Sequence, residues 1–359
     1  MPIGARANLS LRGCRQAATA ILVGTRSRER IAVQLSLFSG CGGLDLGFEQ
    51  AGHVTGLAYD RRVSSIASWN RNRPQNPVGR VFDLNDLTLE RLDEHYGSTF
   101  RPTSVVGGPP CQSFTNANSR KRSDDPRTGL VARFFDIALA LHARSPLEFV
   151  VMENVRELSS ARYRDILNEQ IERLERVGLR TEVLVLDARN FGVAQNRKRL
   201  FLVALSEASF GGAKWQPPTP DDEFLTVGDV IGSLPEPTYF AKGLSPDNIA
   251  CHPNHWCMVP KSPKFRSSAL KPGQSFGRSF KMLDWSKPSF TVSYGNREVH
   301  VHPSGKRRLS VYEAMLLQGF PADFVLSGTL SSQITQVSEA VPPPLANAIA
   351  QSIKAMRLG

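Results

Sequence analysis

The sequence predicts an α/β fold: a mostly parallel sheet with an antiparallel strand at one edge, followed by a smaller domain of irregular and β structure. Short apolar runs alternate with amphipathic ones from Ile31 to Leu205, which is typical of parallel strands joined by helices. The last two apolar runs, 181–187 and 199–205, are separated by about a dozen residues without helical periodicity, which favours antiparallel pairing. Residues 206–305 lose the alternation and are rich in Pro, Gly, Ser, Lys and Arg, which indicates the second domain.

Each element of the first domain has its own local signal. The predicted strands are short apolar runs that end at a Gly, an acid or a Pro, namely 31–38, 53–59, 78–82, 103–106 and 147–151. The predicted helices have apolar residues every three or four positions, and several stop at Gly; they are 44–52, 86–97, 129–144, 156–179, 309–319 and 343–356.

Composition limits the class of protein. Lys and Arg number 44 against 33 Asp and Glu, a formal charge of +11. This surplus indicates a polyanionic partner, although a basic surface that only aids solubility fits equally well. The five cysteines are odd in number and loosely spaced, which favours a reducing, cytoplasmic setting, and no apolar run is long enough to cross a membrane. Residues 1–30 are Arg-rich, and we expect a poorly ordered basic extension, with an organellar transit peptide or an early start codon as alternatives.

Polar and reactive side chains follow the predicted strands one after another. Gly40 to Gly43 follow the first strand, Asp60 the second, Asp83 the third, Cys111 the fourth and Glu153 the fifth. Because the carboxyl ends of parallel strands share one edge of a sheet, these groups should meet at that edge, where α/β proteins bind ligands.

The Gly turn and Asp60 predict a site for a nucleoside cofactor. Glycines allow close approach to the backbone, and a carboxylate some twenty residues later can accept hydrogen bonds from a ribose. The turn reads G-C-G-G-L-D from Gly40, so Asp45 stands where a dinucleotide fingerprint has its third glycine. A cofactor with ribose and adenine but without pyrophosphate, such as S-adenosylmethionine, fits better. A tight turn without ligand is the alternative.

Cys111 and Glu153 predict a nucleophile beside an acid. A thiolate is an intrinsically strong nucleophile, and a carboxyl on the neighbouring strand end can protonate or hydrogen-bond what it attacks. Taken singly, Cys111 could be a buried structural thiol and Glu153 a carboxylate at a helix start. Because both should lie at the same sheet edge as the cofactor turn, a catalytic role is favoured over these structural roles.

Two further motifs are less specific. In QNRKRLF, Arg197 and Arg199 alternate along a strand and so share a face that suits phosphate or carbonyl oxygens, or simply a solvated strand edge. CHPNHWC, residues 251–257, could supply zinc ligands, but its spacing fits no common zinc pattern, and we predict a loop without metal.

Taken together and in order, the motifs resemble those of DNA (cytosine-5)-methyltransferases, in particular the bacterial type II restriction–modification enzymes. The resemblance runs from about Leu35 to Gln351; its segments are LFSGCGGLDLGF, GGPPCQSF, DDPRTGL, MENV, FGVAQNRKRLF, RRLSVYEAMLLQGFP and AVPPPLANAIA. It implies a Rossmann-like methyltransferase sheet, S-adenosylmethionine as cofactor, S-adenosylhomocysteine as its product and no metal.

The resemblance also assigns roles to residues and domains. The implied catalytic residues are Cys111, Glu153, Arg197 and Arg199. The implied cofactor-binding residues are Phe38, Ser39, Gly40, Gly42, Gly43, Asp60, Asp83 and Leu130. The implied target-binding residues are Pro109, Pro110, Gln112, Asn154 and Gln195. Residues 31–205 and 331–359 would form the catalytic domain, and 206–330 the target-recognition domain and hinge.

The implied substrate is a cytosine flipped out of double-stranded DNA and held by a covalent bond to Cys111. The expected protein is a monomer without membrane contact, with a restriction endonuclease acting on the same site as a possible companion. Candidates for DNA contacts are the basic residues Lys261, Lys264, Arg266, Lys271, Arg278, Lys281, Lys287 and Arg297.

Two positions depart from the family pattern. Ser338 and Glu339 stand where Gly-Asn is usual, and Leu316 stands where Arg is usual. An RNA cytosine methyltransferase of the same fold, a nucleotide-dependent dehydrogenase and a non-catalytic DNA-binding relative remain alternatives. The basic second domain favours duplex DNA over transfer RNA.

Overall fold

The computed structural model describes residues 32–110, 129–267, 270–276, 280–291 and 300–357. The predicted basic extension, Cys111, Gln112, Arg278 and Arg297 lie outside the described residues. No helix within these ranges is long and apolar enough to cross a bilayer.

A seven-stranded sheet is the framework of the protein. Its strands are β1 (Val33–Leu37), β2 (Val54–Asp60), β3 (Gly79–Val81), β4 (Ser104–Gly107), β5 (Phe149–Asn154), β6 (Leu179–Asp187) and β7 (Lys198–Ser206). The order across the sheet is β3-β2-β1-β4-β5-β7-β6. The mostly parallel sheet is confirmed, and the antiparallel strand is β7, which lies between β5 and the edge strand β6. Because the chain leaves β1 in one direction and returns to β4 on its other side, the ligand-binding crevice is expected at the ends of these two strands.

Helices cover both faces of this sheet. They are α1 (Gly43–Gln50), α2 (Val63–Arg71), α3 (Leu89–Tyr96), α4 (Gly129–Arg144), α5 (Arg164–Glu175), α6 (Glu207–Phe210), α7 (Val227–Ile231), α8 (Val311–Leu317), α9 (Leu330–Glu339) and α10 (Pro343–Ala355). One apolar core joins α3, α4 and α5 to the sheet, and a second joins α1 and α10 to its other face. α4 buries the periodic face that its sequence predicts, from Leu130 to Leu141.

The helix predicted over 156–179 is wrong in extent. A 3-10 turn at 156–159 precedes α5, and Gly178, at φ 79°, ends the segment, after which β6 begins at Leu179. Helices α2 and α9 were not predicted, because both bury small polar side chains such as Ser65, Ser68 and Ser338 in place of an apolar stripe.

The C-terminal helix α10 packs with α1 on one face of the sheet. Pro343 lies in its first turn, where a missing N–H costs nothing. Its buried face, which includes Leu345, Ile349 and Ile353, packs on α1, where a Cβ at Gly47 would lie 2.4 Å from Ala346. Each such fully buried side chain contributes about 2 kcal/mol to stability. Residues from both ends of the chain therefore build the same layer.

The described part of residues 206–310 has little β structure. Its strands are β8 (Thr238–Tyr239), β9 (Trp256–Cys257), β10 (Ser275–Phe276) and β11 (Phe280–Lys281), and they pair as two two-stranded sheets. A third apolar core contains Val227 and Leu283 from this part together with residues of α8 and α9.

Candidate active site

The turn after β1 has the shape that a ligand cradle requires. Gly40 and Gly42 have φ of 56° and 88°, a region that glycine occupies without strain. A Cβ at Gly42 would lie 2.6 Å from the Trp69 ring, whereas a Cβ at Gly40 would meet nothing within 4 Å. The hydroxyl of Ser39 is buried and has no hydrogen-bond partner among the described residues. This part of the turn therefore offers open space and a free polar group to a ligand.

Asp60 ends β2 beside this turn, as predicted. One carboxylate oxygen accepts a 3.0 Å hydrogen bond from the Gly40 N–H, and the other accepts a 2.8 Å bond from the Arg62 N–H. Burial raises the pKa of Asp60, and these two hydrogen bonds act in the opposite direction. Asp60 thus fixes the Gly turn and places a carboxylate at its mouth.

A buried hydrogen-bond network lies beneath the turn, and the sequence pointed only to one member of it, Asp45. Asp45, which is fully buried, accepts hydrogen bonds from the Ser36 hydroxyl at 2.5 Å and from the Trp69 indole at 2.6 Å. Arg73 stacks on Trp69 and donates to the Gly42 carbonyl at 3.1 Å. Asp45 therefore supports the turn from below where a dinucleotide fingerprint would have glycine.

The other predicted cofactor residues lie around the same sheet edge in different settings. Phe38 is half-buried at the end of β1 with φ 53°, and Leu130 is buried on the first turn of α4. Asp83 is exposed after β3 and accepts a hydrogen bond from the Asn85 N–H at 3.0 Å. Gly43 starts α1 in contact with the chain before α10, because a Cβ there would lie 2.3 Å from the Val341 carbonyl oxygen.

A buried ion pair marks the end of β5. The Arg199 Nε lies 2.9 Å from the Glu153 carboxylate, and the two side chains are 14% and 9% exposed. A Cβ at Gly108 would be 3.1 Å from Glu153 Oε2, and the Asn154 amide donates to the Pro109 carbonyl at 3.2 Å. Gly108 and Pro109, in the turn that leads to Cys111, thus lie against the end of β5.

Burial dominates the chemistry of Glu153. It raises the pKa of the carboxyl, and the guanidinium of Arg199, followed by that of Arg197, offsets part of the effect. A raised pKa favours the protonated carboxyl, which can donate a hydrogen bond or its proton to a bound base.

Arg197 differs from Arg199 in what it contacts. Its side chain is fully buried and donates to the backbone carbonyls of Ser338 at 2.6 Å and Ala340 at 2.9 Å. Gln195 is also fully buried and donates to Gln318 at 2.8 Å. These contacts join the start of β7 to the segment between α9 and α10.

The sequence profile of one family, described as C-5 cytosine-specific DNA methylase, matches residues 33–355. The chain belongs to this family. It is 32% identical to the type II methyltransferase M1.HphI of Haemophilus parahaemolyticus over 333 residues, which cover 90% of this chain and 86% of that protein. It is 30% identical to M.MthTI of Methanothermobacter thermautotrophicus, with 89% and 96% covered. These relatives establish a DNA cytosine-5 methyltransferase of the restriction–modification type, in a family that uses S-adenosylmethionine.

The fold is shared with a known methyltransferase structure. An E. coli prophage protein assigned as a DNA modification methyltransferase superposes with a TM-score of 0.74 at 22% identity, covering 91% of this chain and 99% of that one. At that identity the superposition supports the fold of this methyltransferase alone.

In the methyltransferase, the Ser338–Glu339 departure has a structural consequence. The Glu339 carboxylate forms a two-pronged ion pair with Arg62, the residue that also donates its N–H to Asp60. The altered position therefore lies at the predicted cofactor edge of the site. The second departure, Leu316, is half-buried on α8 beside the third core.

The charge of residues 206–308 is divided along the chain. Residues 206–260, the acidic half, hold seven acids and two lysines, whereas residues 261–308, the basic half, hold eleven Lys and Arg and two acids. In the basic half the Arg308 guanidinium is 4% exposed and lies 4.4 Å from the centre of Phe280, with Lys264 4.6 Å from the same ring. Because Arg308 is buried, these cation–π contacts pack the inside of this segment.

The CHPNHWC segment is embedded in protein contacts. His255 hydrogen-bonds to the Ser310 hydroxyl and the Pro235 carbonyl, and the His252 ring stacks on Tyr312 at 4.0 Å. In the described part of the chain, no three His, Cys, Asp or Glu side chains are grouped as metal ligands.

Proposed function

We propose that this methyltransferase acts on a cytosine flipped out of a specific double-stranded DNA sequence, through a transient bond between Cys111 and C6 of the base. The observation that supports this most is the buried Glu153–Arg199 pair, which lies against the turn that leads to Cys111. Duplex stacking hides C6 from a thiolate, so the base has to leave the helix.

Glu153 would hold the flipped base. Its raised pKa favours a protonated carboxyl, which can donate to N3 of cytosine while its second oxygen accepts from the exocyclic amine. Arg199 would donate to the base carbonyl or a flanking phosphate. Arg197, bound to two backbone carbonyls, would keep the start of β7 in position.

The proposed reaction has three steps: addition of the thiolate, methyl transfer and elimination. The Cys111 thiolate adds to C6, and the electron pair of the C5–C6 bond becomes available at C5. When bound, S-adenosylmethionine supplies an electrophilic methyl group, and the Gly turn, Ser39 and Asp60 fit its adenosine part. As C5 gains the methyl group, the bond between that methyl group and the sulfonium sulfur would break, with S-adenosylhomocysteine as the leaving group. A base, for which water suffices, then removes the C5 proton, the N3 proton returns to Glu153, the C5–C6 double bond re-forms, and Cys111 leaves as thiolate.

The rest of the chain would bind the DNA and position it at the catalytic site. We assign residues 31–205 and 331–359 to the catalytic domain and 206–330 to target recognition, with the basic half facing the duplex. The protein would act as a monomer beside an endonuclease that cuts the same site. The exposed cations of the basic half, such as Lys261, Lys271 and Lys287, support phosphate contacts.

The bond to Cys111 can be tested by trapping. DNA that carries 5-fluorocytosine blocks removal of the C5 substituent, so the wild-type protein should accumulate a covalent complex visible on a denaturing gel. Cys111→Ala should form no complex and transfer no labelled methyl group, whereas Cys251→Ala, at an exposed free thiol, should do both. A covalent complex with Cys111→Ala, or its normal turnover, would overturn the proposal.

A second experiment would identify the target sequence in DNA. Bisulfite sequencing of DNA from cells that express the wild-type protein should show one methylated cytosine in one short sequence. Methylation of cytosine in RNA but not in DNA would refute the proposed substrate.

A further inference from the structure

The last turn of α9 and the residues between α9 and α10 lie on the Gly turn that is predicted to hold the cofactor. The Cys41 thiol contacts the Gln336 carbonyl at 3.8 Å, and the Val341 carbonyl occupies the space beside Gly43. Glu339 lies between these two contact points in sequence, and its side chain is 44% exposed. A charged group therefore lies at the edge of the cofactor turn.

A continuous chain of polar contacts joins Glu339 to that turn. The Arg62 guanidinium binds both oxygens of Glu339, through Nη1 and, at 3.0 Å, through Nη2. The Arg62 N–H binds one oxygen of Asp60, and the other oxygen of Asp60 accepts from the Gly40 N–H. The path from Gly40 to Glu339 thus contains two carboxylates and one guanidinium.

The fields of these groups overlap. The charge of Arg62 lowers the pKa of Asp60 and the charge of Glu339 raises it, while burial is the largest influence. Glu339 is therefore close enough to Asp60 to act on a ligand that Asp60 holds. Because Arg62 carries the opposite charge beside Glu339, it cancels most of the effect of Glu339 on such a ligand.

We propose that Arg62 and Glu339 form a charge-balanced edge of the cofactor site that sets the preference between the sulfonium cofactor and its thioether product. S-adenosylmethionine carries one positive charge more than S-adenosylhomocysteine. A carboxylate at the edge favours the cofactor, and a guanidinium there favours the product. This inference rests on the proposed function, because it assumes that the Gly turn holds this cofactor.

The two halves of the pair should therefore have opposite effects. Glu339→Gln leaves an unpaired guanidinium and should lower the affinity ratio of cofactor over product about fivefold. This is the factor expected for two unit charges roughly 8 to 10 Å apart at an effective dielectric constant of about 40. Arg62→Gln leaves an unpaired carboxylate and should raise the ratio by a similar factor. The double variant should return close to the wild-type ratio, because the edge is neutral again.

The measurement is calorimetric titration of the four proteins with S-adenosylmethionine and with S-adenosylhomocysteine, at low and high salt. Salt should shrink the opposite shifts, because the pair is half-exposed. The Arg91–Glu94 pair on α3 is exposed and serves as the matched control, since Arg91→Gln and Glu94→Gln change the net charge equally. Neither control should move the ratio.

The outcomes separate this inference from the proposed function. If both ligands weaken equally in both variants, the pair acts only as a structural clamp and the inference is wrong. Shifts of the same sign in both variants would also refute it. If the wild-type protein binds neither ligand, the cofactor assignment itself fails.

Discussion

Asp60 and Glu153 are two carboxylates at the same edge of one sheet, and they are held in different ways. Asp60 is fixed by two backbone N–H groups and lies beside open space at the Gly turn. Glu153 faces a side-chain cation, Arg199, and the turn that precedes Cys111. Burial raises the pKa of both.

The difference shows how one edge can separate binding from chemistry. Backbone donors cannot move away, so Asp60 is suited to constant contacts with a ligand that stays unchanged near it. A side-chain partner such as Arg199 can re-orient, so Glu153 is free to exchange its ion pair for a hydrogen bond to a base. We therefore expect substitutions at the two carboxylates to separate kcat from cofactor affinity.

The largest effect is expected at Glu153. Glu153→Gln removes the proton donor and should lower kcat by about a hundredfold or more while the Kd for S-adenosylmethionine changes little. Single-turnover methylation with saturating DNA measures the first quantity, and calorimetry the second. Glu157→Gln, on the turn after β5, is the control and should be neutral.

The pH dependence sharpens this test. In the proposed mechanism the active form of Glu153 is protonated, so activity should fall as the pH rises through its elevated pKa. Arg199 lowers that pKa, so Arg199→Gln should move the alkaline limb to higher pH. If the alkaline limb of the pH–activity profile does not move in Arg199→Gln, or is still present in Glu153→Gln, a group other than Glu153 causes it.

A smaller effect is expected at Asp60. Asp60→Asn keeps the shape but removes the charge from contacts to Gly40 and the cofactor, and charge-assisted hydrogen bonds of this kind are worth about 1.5–3 kcal/mol. The Kd for S-adenosylmethionine should rise about tenfold or more, with kcat at saturating cofactor nearly unchanged. Asp86→Asn is the exposed control. A loss of kcat without a change in Kd would reverse the comparison.

The smallest effect is expected in the basic half, which we propose faces the DNA. Removing two exposed lysines of the basic half, in Lys261→Gln with Lys271→Gln, should reduce the slope of log affinity against log salt by about 1 to 2. Lys214→Gln with Lys242→Gln removes the same charge from the acidic half and should leave the slope unchanged. Equal reductions would show that the two halves do not differ in their contact with DNA.

The sequence determined the sheet, its direction and the groups at its edge. Strand ends, Gly turns and apolar periodicity are local signals, and they correctly placed Gly40 and Pro110 after β1 and β4, and Asp60 and Glu153 at the ends of β2 and β5. The family motifs added the expected chemistry at Cys111. The C-terminal position of α10 also followed from its prolines and apolar face.

Only the tertiary structure decided which charged groups pair. Arg197 and Arg199 are alike in sequence, yet one binds backbone carbonyls more than a hundred residues away and the other binds Glu153. Arg62 and Glu339 are 277 residues apart, and no local pattern links them. Local sequence reports burial and turns because these depend on neighbouring residues, whereas ion pairs depend on which helices the closed fold brings together.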